Sequence, residues 1–559
     1  MATVKNPWVG YLDRNFQKIK NRILTRMGET IPEVSDHSDS NILVIAIESF
    51  SGASEMIAYY IDNMAREAFI TTARRYSSVV KHTRLIDYRI KAMIPAAADV
   101  TIFFISAGNP LPNPAEFIIP MGVIFTTNNG IEFITTSATT VTAGATSATV
   151  VVRQKTAIIG DNLGITSDAV DQVFTLGTQY VNDSVNLMVG GEPWIRQDTL
   201  GRSEPDDKHF IVDVSAQKEA YIRFGDNING AIPLPGLSVI TDYYITTGSL
   251  GNVEINTIIN TDFDFTVYDI PQTNITNISK ATGGADFESI QRIQRSAPLS
   301  LRTLLRAVTD QDYKDIALLA PGVDKAEMFF SCGKYVYLYI APNGGGLATT
   351  GLLADVELYF KNKKMVTTFV KALPAGESGI RMKLTVTGRF RKDGIQLYNE
   401  LKALLLDKYS YENSDVNKTI RTSDLIALVD NYKDVDYLSL DELYIKPYIR
   451  PVNHTSQLNY TITLNSGSIA TQIWKLKYNG LNFILLKGNV QVSNMTIGVP
   501  FTDTGNVITL EIEPGTYTTG QEWEFRTLPI NKDQVINDYS VPILREEDLE
   551  LNIIEQLSI

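Results

Sequence analysis

The chain has 559 residues, 44% of them hydrophobic and 20% charged, ordinary proportions for a globular protein with room for roughly four domains of about 150 residues. Its formal net charge of −13 argues against a non-specific nucleic-acid binder, which needs basic patches to hold phosphates, and leaves room only for a local basic face. A single cysteine, Cys332, excludes an intramolecular disulfide and a zinc site built on several cysteines.

The four histidines, His37, His82, His209 and His454, stand far apart in sequence. The N-terminus has no apolar core of a signal peptide, and no apolar run is read as approaching the ~20 residues of a membrane helix. These readings place the protein in a cytoplasm, or in a particle assembled there. Met1 to Pro32 carries Lys5, Arg14, Lys18, Lys20, Arg22 and Arg26 against few acids, and reads as a basic helix, either solvated or an anchoring arm.

Asp39-Ser40 is expected to cap a helical segment from Asn41 to about Ile90. Leu43, Ile47, Phe50, Ser54, Ile57, Ile61, Met64 and Ala68 step alternately by four and three, the heptad stripe that packs helix on helix. Glu48, Glu55 and Asp62 lie off it. Beyond Ala68 the apolar line shifts to Phe69, Ala73, Tyr76 and Val80, and Ser51-Gly52-Ala53 is expected to soften the helix. The pattern alone fits the protein's own core as well as a partner's helix.

From Ala96 to Asn260 the chain reads as β. Strands are expected at Asp99 to Ser106, Phe117 to Gly122 and Gly130 to Ile134, with further strands and turns through the Thr-rich stretch to Val150. Val185, Leu187 and Val189 alternate before a Gly190-Gly191 turn and Trp194. Asp226 to Gly230 has the outline of a calcium loop, but Ile228 occupies a ligand position and no suitable Glu follows, so that reading is rejected. Thr282-Gly283-Gly284 is a loop signal, Asp286 to Ser296 a short helix stopped by Pro298, and Thr309 with Asp312 a capping box. Tyr313, Ile316, Ala317 and Ala320 form an apolar helical face that Pro321-Gly322 ends.

Past this joint, strands at Tyr335 to Ile340 and Arg381 to Phe390 interleave with helices at Leu352 to Phe360, Ile395 to Leu406 and Arg421 to Val429, the last capped by Thr422 or Ser423. Gly344-Gly345-Gly346 lacks the following Gly-Lys-Ser/Thr of a phosphate cradle. Asn453 to about Leu528 returns to β, with turns at Asn465-Ser466-Gly467, Asn479-Gly480 and Glu513-Pro514-Gly515. The tail from Arg545 is acidic and reads as a short amphipathic segment.

No catalytic constellation is legible: there is no Gly-x-Ser-x-Gly elbow, HExxH pair or Walker loop. A pair of glycosidase carboxylates, which meets only in the fold, stays open at this level. Cys332 reads as a small buried thiol. The expected protein is not an enzyme and takes no cofactor or metal.

Four blocks carry a family resemblance. GGADFESIQRIQRSAP and LRAVTDQDYKDIALLAPGV resemble the central signature of the baseplate J family, the inner wedge proteins of contractile phage tails. YIRFGDNINGAIPLPG resembles that family's Ile-x-Phe-Gly-Asp-Gly-x-x-Gly-x-x-Pro hairpin, with Asn227 where glycine is usual, and YYITTGSLGNV the strand and turn that follow. Asn is the next best residue for a left-handed position, so the departure is tolerable.

The elements read along the chain give an α+β multidomain fold: an N-terminal helical arm and bundle helix (1–95), a β-rich domain (96–270), a helical joint (271–330), an α+β domain (331–452) and a C-terminal sandwich- or barrel-like β domain with an acidic tail (453–559), into which the resemblance, covering roughly Asn41 to Pro451, does not extend. The resemblance itself carries a function. It implies a structural wedge subunit that joins copies of itself and a second wedge protein in a ring around the hub. That ring would connect to the sheath and relay the change of shape that triggers contraction. Leu43, Ile47, Phe50, Ile57, Ile61 and Met64 would face a partner in a helix bundle, and Gly283, Gly284, Pro321 and Gly322 would be hinges. A host-glycan-binding or glycan-degrading tail protein is the competing reading, suggested by the C-terminal β domain. Neither nucleic acid nor membrane is an expected partner.

Overall fold

A computed structural model describes residues 15–554 apart from 32–37, 39–40, 87, 107–108, 111, 114, 332–333, 390–392, 453–457, 459, 465–470, 504–507, 514–516 and 537. The expectations for Lys5, Arg14, the Asp39-Ser40 cap, Cys332, His37, His454, the Asn465-Ser466-Gly467 and Pro514-Gly515 turns and the last five residues of the tail lie outside them. The fold is α+β and multidomain.

The long N-terminal helix is two helices preceded by a third. Helix α1 (Phe16–Thr30) is capped by Asn15, and α2 (Ile42–Glu67) by Asn41, whose side chain accepts the Leu43 amide. Helix α2 stops at Glu67, where that side chain accepts the amides of Arg74 and Arg75 and turns the chain into α3 (Tyr76–Leu85). This corrects the single segment to Ile90: a side-chain to backbone bond ends the periodic stretch. No break occurs at Gly52; the buried Ser51 hydroxyl bonds the Ile47 carbonyl within the helix. Helix α3 buries Val79 and Val80 in the core of the second sheet described below, so the helical region divides at Glu67 and not at residue 95.

The β-rich region holds two modules. Strands Ala97–Ser106, Ile124–Thr127, Glu132–Thr135 and Ser147–Arg153 form one sheet with Ile258–Thr261 and Gln272–Asn277, over a core of Ile102, Phe104, Phe125 and Phe133. The chain leaves this sheet and builds a second from Thr156–Ile165, Val173–Gly177, Asn186–Val189, Glu192–Arg196, His209–Val214, Ala220–Phe224 and Ser238–Ile245 before returning. Leu187, Val189 and Trp194 are buried there as their alternation predicts, with Gly190 and Gly191 at φ 58° and 85° in the turn.

Helix α4 (Ile290–Thr303) runs through Pro298, contrary to the expected stop. An internal proline costs roughly 3 kcal/mol; burial of Ile293 and Ala297 against the second sheet outweighs it. Helix α5 (Asp310–Leu319) has the expected Thr309–Asp312 capping box and buries Tyr313, Ile316 and Ala317. With α6 (Thr350–Phe360) it covers one face of a three-stranded sheet, Val323–Ser331, Tyr335–Pro342 and Phe369–Pro374.

Helices α7 (Gly394–Lys408) and α8 (Thr422–Asp430) pack on a further three-stranded sheet. Its central strand is Gly376–Gly388, flanked by Val435–Ile445 and by Ser540–Ile554. The last of these corrects the tail: the acidic end is a strand running parallel to the centre of the α+β domain, with Leu544 and Leu551 buried in its core. The β domain is therefore an insertion between Ile445 and Ser540. It is a sandwich of a five-stranded and a three-stranded sheet closed over Trp474, Phe483, Trp523 and Phe525. The expected cap of α8 is also corrected: Thr422 gives both its amide and its hydroxyl to Asp533, at 2.9 and 3.0 Å.

Candidate assembly interface

Helices α1 and α2 form an antiparallel hairpin. The Phe16 amide bonds Glu55 at 3.1 Å, and Lys20 pairs with Glu48 at 2.5 Å. Val44, Ser51, Ala58 and Asp62 lie buried on one side of α2, a face of small and acidic residues onto which the basic α1 settles. The stripe lies on the other side. Leu43, Phe50, Ile57, Ile61 and Met64 are 46%, 64%, 60%, 49% and 74% exposed, and Ile47 is half-buried. Ile42, Ile45, Met56, Tyr59 and Tyr60 widen the apolar band. So much apolar surface gathered on one helix is more than the single exposed apolar residues ordinary on a protein surface. By length and composition α2 could also cross a membrane, which dispersed acids concealed in the sequence.

The four candidate hinge residues sit in a close-packed crossing. Gly283 stands at φ 85° and Gly322 at φ 80°. The backbone of Asn343 ties them together: its amide donates to the Gly322 carbonyl at 2.9 Å and its carbonyl accepts the Gly283 amide at 3.3 Å. A Cβ on Gly284 would lie 2.5 Å from the Gly248 carbonyl oxygen, and one on Gly322 2.8 Å from Leu352. Pro321 lines a cavity beside Lys91 and Tyr359. Close approach of backbones is thus a sufficient reason for these glycines.

The other signature residues are knotted into the same crossing. Asp286 accepts the amide and hydroxyl of Ser249 at 3.0 and 2.9 Å. Glu288 is buried and accepts the Tyr88 hydroxyl at 2.7 Å and the Lys91 amide at 3.3 Å. Ser289 caps α4. Arg292 donates to Asn343 Oδ1 at 2.8 Å and to the Val323 carbonyl. The Lys91 amine reaches the Leu319 carbonyl, and burial pushes its pKa down to about 8, opposed by the nearby Glu288 charge. Burial, with the same charge, pushes the Tyr88 phenol up. Sequence reasoning quoted Glu288 and Arg292 in the signature but missed Lys91 and Tyr88, which no local pattern marks.

In the FGDNING loop, Asn227 takes φ 63° and Gly230 φ 87°, as the family pattern predicts. The segment is not a hairpin: strand Ala220–Phe224 pairs with two strands earlier in the chain. Asp226 accepts the amides of Ile228 and Asn229 at 3.0 and 2.7 Å, which hold its pKa below the usual carboxylate range. Among the described residues no His/Cys/Asp/Glu cluster could hold a metal.

Residues 15–85 match the family model described as bacteriophage baseplate protein, N-terminal domain. The match takes in α1, α2 and α3, including the exposed stripe, and supports a baseplate protein, hence a phage-tail component that contacts other baseplate proteins. No curated protein sequence matches the chain. A solved structure it is similar to is the anti-feeding prophage (AFP) baseplate, determined by cryo-EM with 6-fold symmetrisation. The identity is 12%, over 76% of this chain and 86% of that one. The TM-score of 0.26 means that the two chains do not share one overall superposition.

Proposed function

We propose that this protein is a structural wedge subunit of a contractile-tail baseplate, assembled in the host cytoplasm, and that the bare face of α2 is where it joins its partners. One observation carries the reading: within the residues that match a baseplate domain, an apolar heptad stripe lies exposed while the opposite, acidic face of the same helix is already occupied by α1. A second copy of the chain and a second wedge protein would complete the bundle, in a ring around the hub and beneath the sheath. The protein would do no chemistry and need no cofactor.

A membrane-spanning α2 is disfavoured by Glu48, Glu55 and Asp62, since each charge held in hydrocarbon costs about 3 kcal/mol. Two of these acids hold α1 in place.

The test is the double substitution Ile57→Asp with Ile61→Asp. The purified variant should keep the melting temperature of the parent and fail to enter wedge complexes. Unfolding of the isolated variant, or normal assembly, would overturn the proposal.

A further inference from the structure

The three-stranded sheet covered by α5 and α6 on one face bears aromatic rings on the other. Tyr335 stacks with Phe369 at 5.4 Å between centroids and with Tyr337 at 6.3 Å, and Phe329 lies 6.4 Å from Tyr337. Tyr339 lies flat on Tyr539 at 4.0 Å and 7°. Phe329, Tyr335 and Phe369 are exposed. The row leads into a cavity of about 500 Å3 between this sheet and the base of the inserted sandwich, where Asn417, Arg450 and Arg526 close it.

Two features set this cavity apart from an ordinary domain seam. Tyr539 and Asn417 are both held in the left-handed backbone region, at φ 59° and 58°, and the Tyr539 amide donates to Asn417 Oδ1 at 2.9 Å. A left-handed tyrosine is strained, and such strain gathers where a side chain must be aimed. Arg526 is half-buried and, among the described residues, has neither an ion pair nor a side-chain hydrogen bond, whereas its neighbour Arg450 is held by Glu524 at 3.1 Å. A guanidinium lining an aromatic-walled cavity, with no carboxylate paired to it, leaves the place of an anion open.

We propose that this cavity binds a carboxylate-bearing saccharide, with the carboxylate on Arg526 and the C–H face of a sugar ring on the aromatic row. The polar groups at hand are donors, namely the Arg526 guanidinium, the Asn417 amide nitrogen and the Tyr337 hydroxyl, and they suit a ligand rich in acceptors. Pyranose C–H groups carry partial positive charge and are drawn to the negative face of an aromatic ring. A peptide is the poorer fit. Tyr337 and Tyr339 lie on the central strand, whose two edges are both paired, so the strand at the middle of the aromatic row offers no backbone edge for strand addition. The proposal does not depend on the wedge reading.

The experiment is calorimetric titration of the full chain with a galacturonate tetramer and with its methyl ester, which removes the charge and keeps the rings. The acid should bind and the ester bind at least about tenfold more weakly; Arg526→Gln and Tyr337→Ala should each weaken acid binding by about tenfold. Arg526→Lys, which keeps the charge, should retain most of the affinity and guards against a mere folding defect. Absence of binding, equal affinity for acid and ester, or indifference to both substitutions would sink the proposal. So would displacement of the saccharide by an aspartate-rich peptide at lower concentration, which would assign the cavity to a protein partner.

Discussion

Asn252 and Gly284 exchange two hydrogen bonds, each 2.9 Å long: the Asn252 side-chain amide donates to the Gly284 carbonyl, and the Gly284 amide donates back to Asn252 Oδ1. This pair clamps the turn after the second sheet to the start of the helical joint, 32 residues later. It gives two separate sequence motifs one physical purpose.

A Cβ at Gly284 would press on the Gly248 carbonyl and on Asn252 itself. Gly284→Ala should destabilise the protein by on the order of 2 kcal/mol, and Asn252→Ala by about 1 to 3 kcal/mol, since it strands both Gly284 backbone groups. Urea unfolding checks both, and the double variant should cost less than the sum of the two because they break one clamp.

The crossing can be a hinge or a rigid weld. Hydrogen exchange separates the two. Gly283 and Gly284 donate to Asn343 and Asn252 inside packed surroundings, so their amides should be protected to the same degree as the neighbouring strands. Exchange at loop-like rates would restore the hinge.

Lys91 makes the stability of this region depend on pH. Its folded pKa, about 8, lies below the unfolded value of 10.5. Below pH 8 both states hold the proton and the cost of the buried charge is constant. Between the two values the unfolded chain holds more protons, so stability rises with pH. The gain is about 3 kcal/mol, at roughly 1.4 kcal/mol per unit. Wild type should gain on Lys91→Met by that order between about pH 7.5 and about pH 10. A stability gap that does not vary with pH would refute the assignment.

Ending the chain after Tyr539 should unfold the α+β domain, although it removes what reads as a tail. The lost strand buries Val541, Leu544 and Leu551, and each such side chain contributes roughly 1.5 to 3 kcal/mol. Near-complete loss of the cooperative unfolding transition of that domain is the expected result. A folded truncated protein would mean that the strand is dispensable.

Local patterns in the sequence determined much of the structure. The capping box of α5 is readable because its partners, Thr309 and Asp312, are three residues apart; the Gly190-Gly191 turn and the alternation around Leu187 are readable for the same reason. The heptad stripe of α2 was equally plain, and its residues alone name one face of a helix. Whether that face lies inside or outside was decided by tertiary structure: α1 chose the opposite face, through Lys20 with Glu48 and the Phe16 amide with Glu55. The same holds for Asp533 capping α8 from 111 residues away and for Ser540–Ile554 returning to pair with Gly376–Gly388 across the inserted sandwich. Helix α4 passed its proline because burial against a distant sheet outweighed a local rule. Periodicity records which face of an element is apolar, a property of near neighbours along the chain. Which surface meets that face depends on contacts between residues far apart in sequence, and no local pattern encodes those.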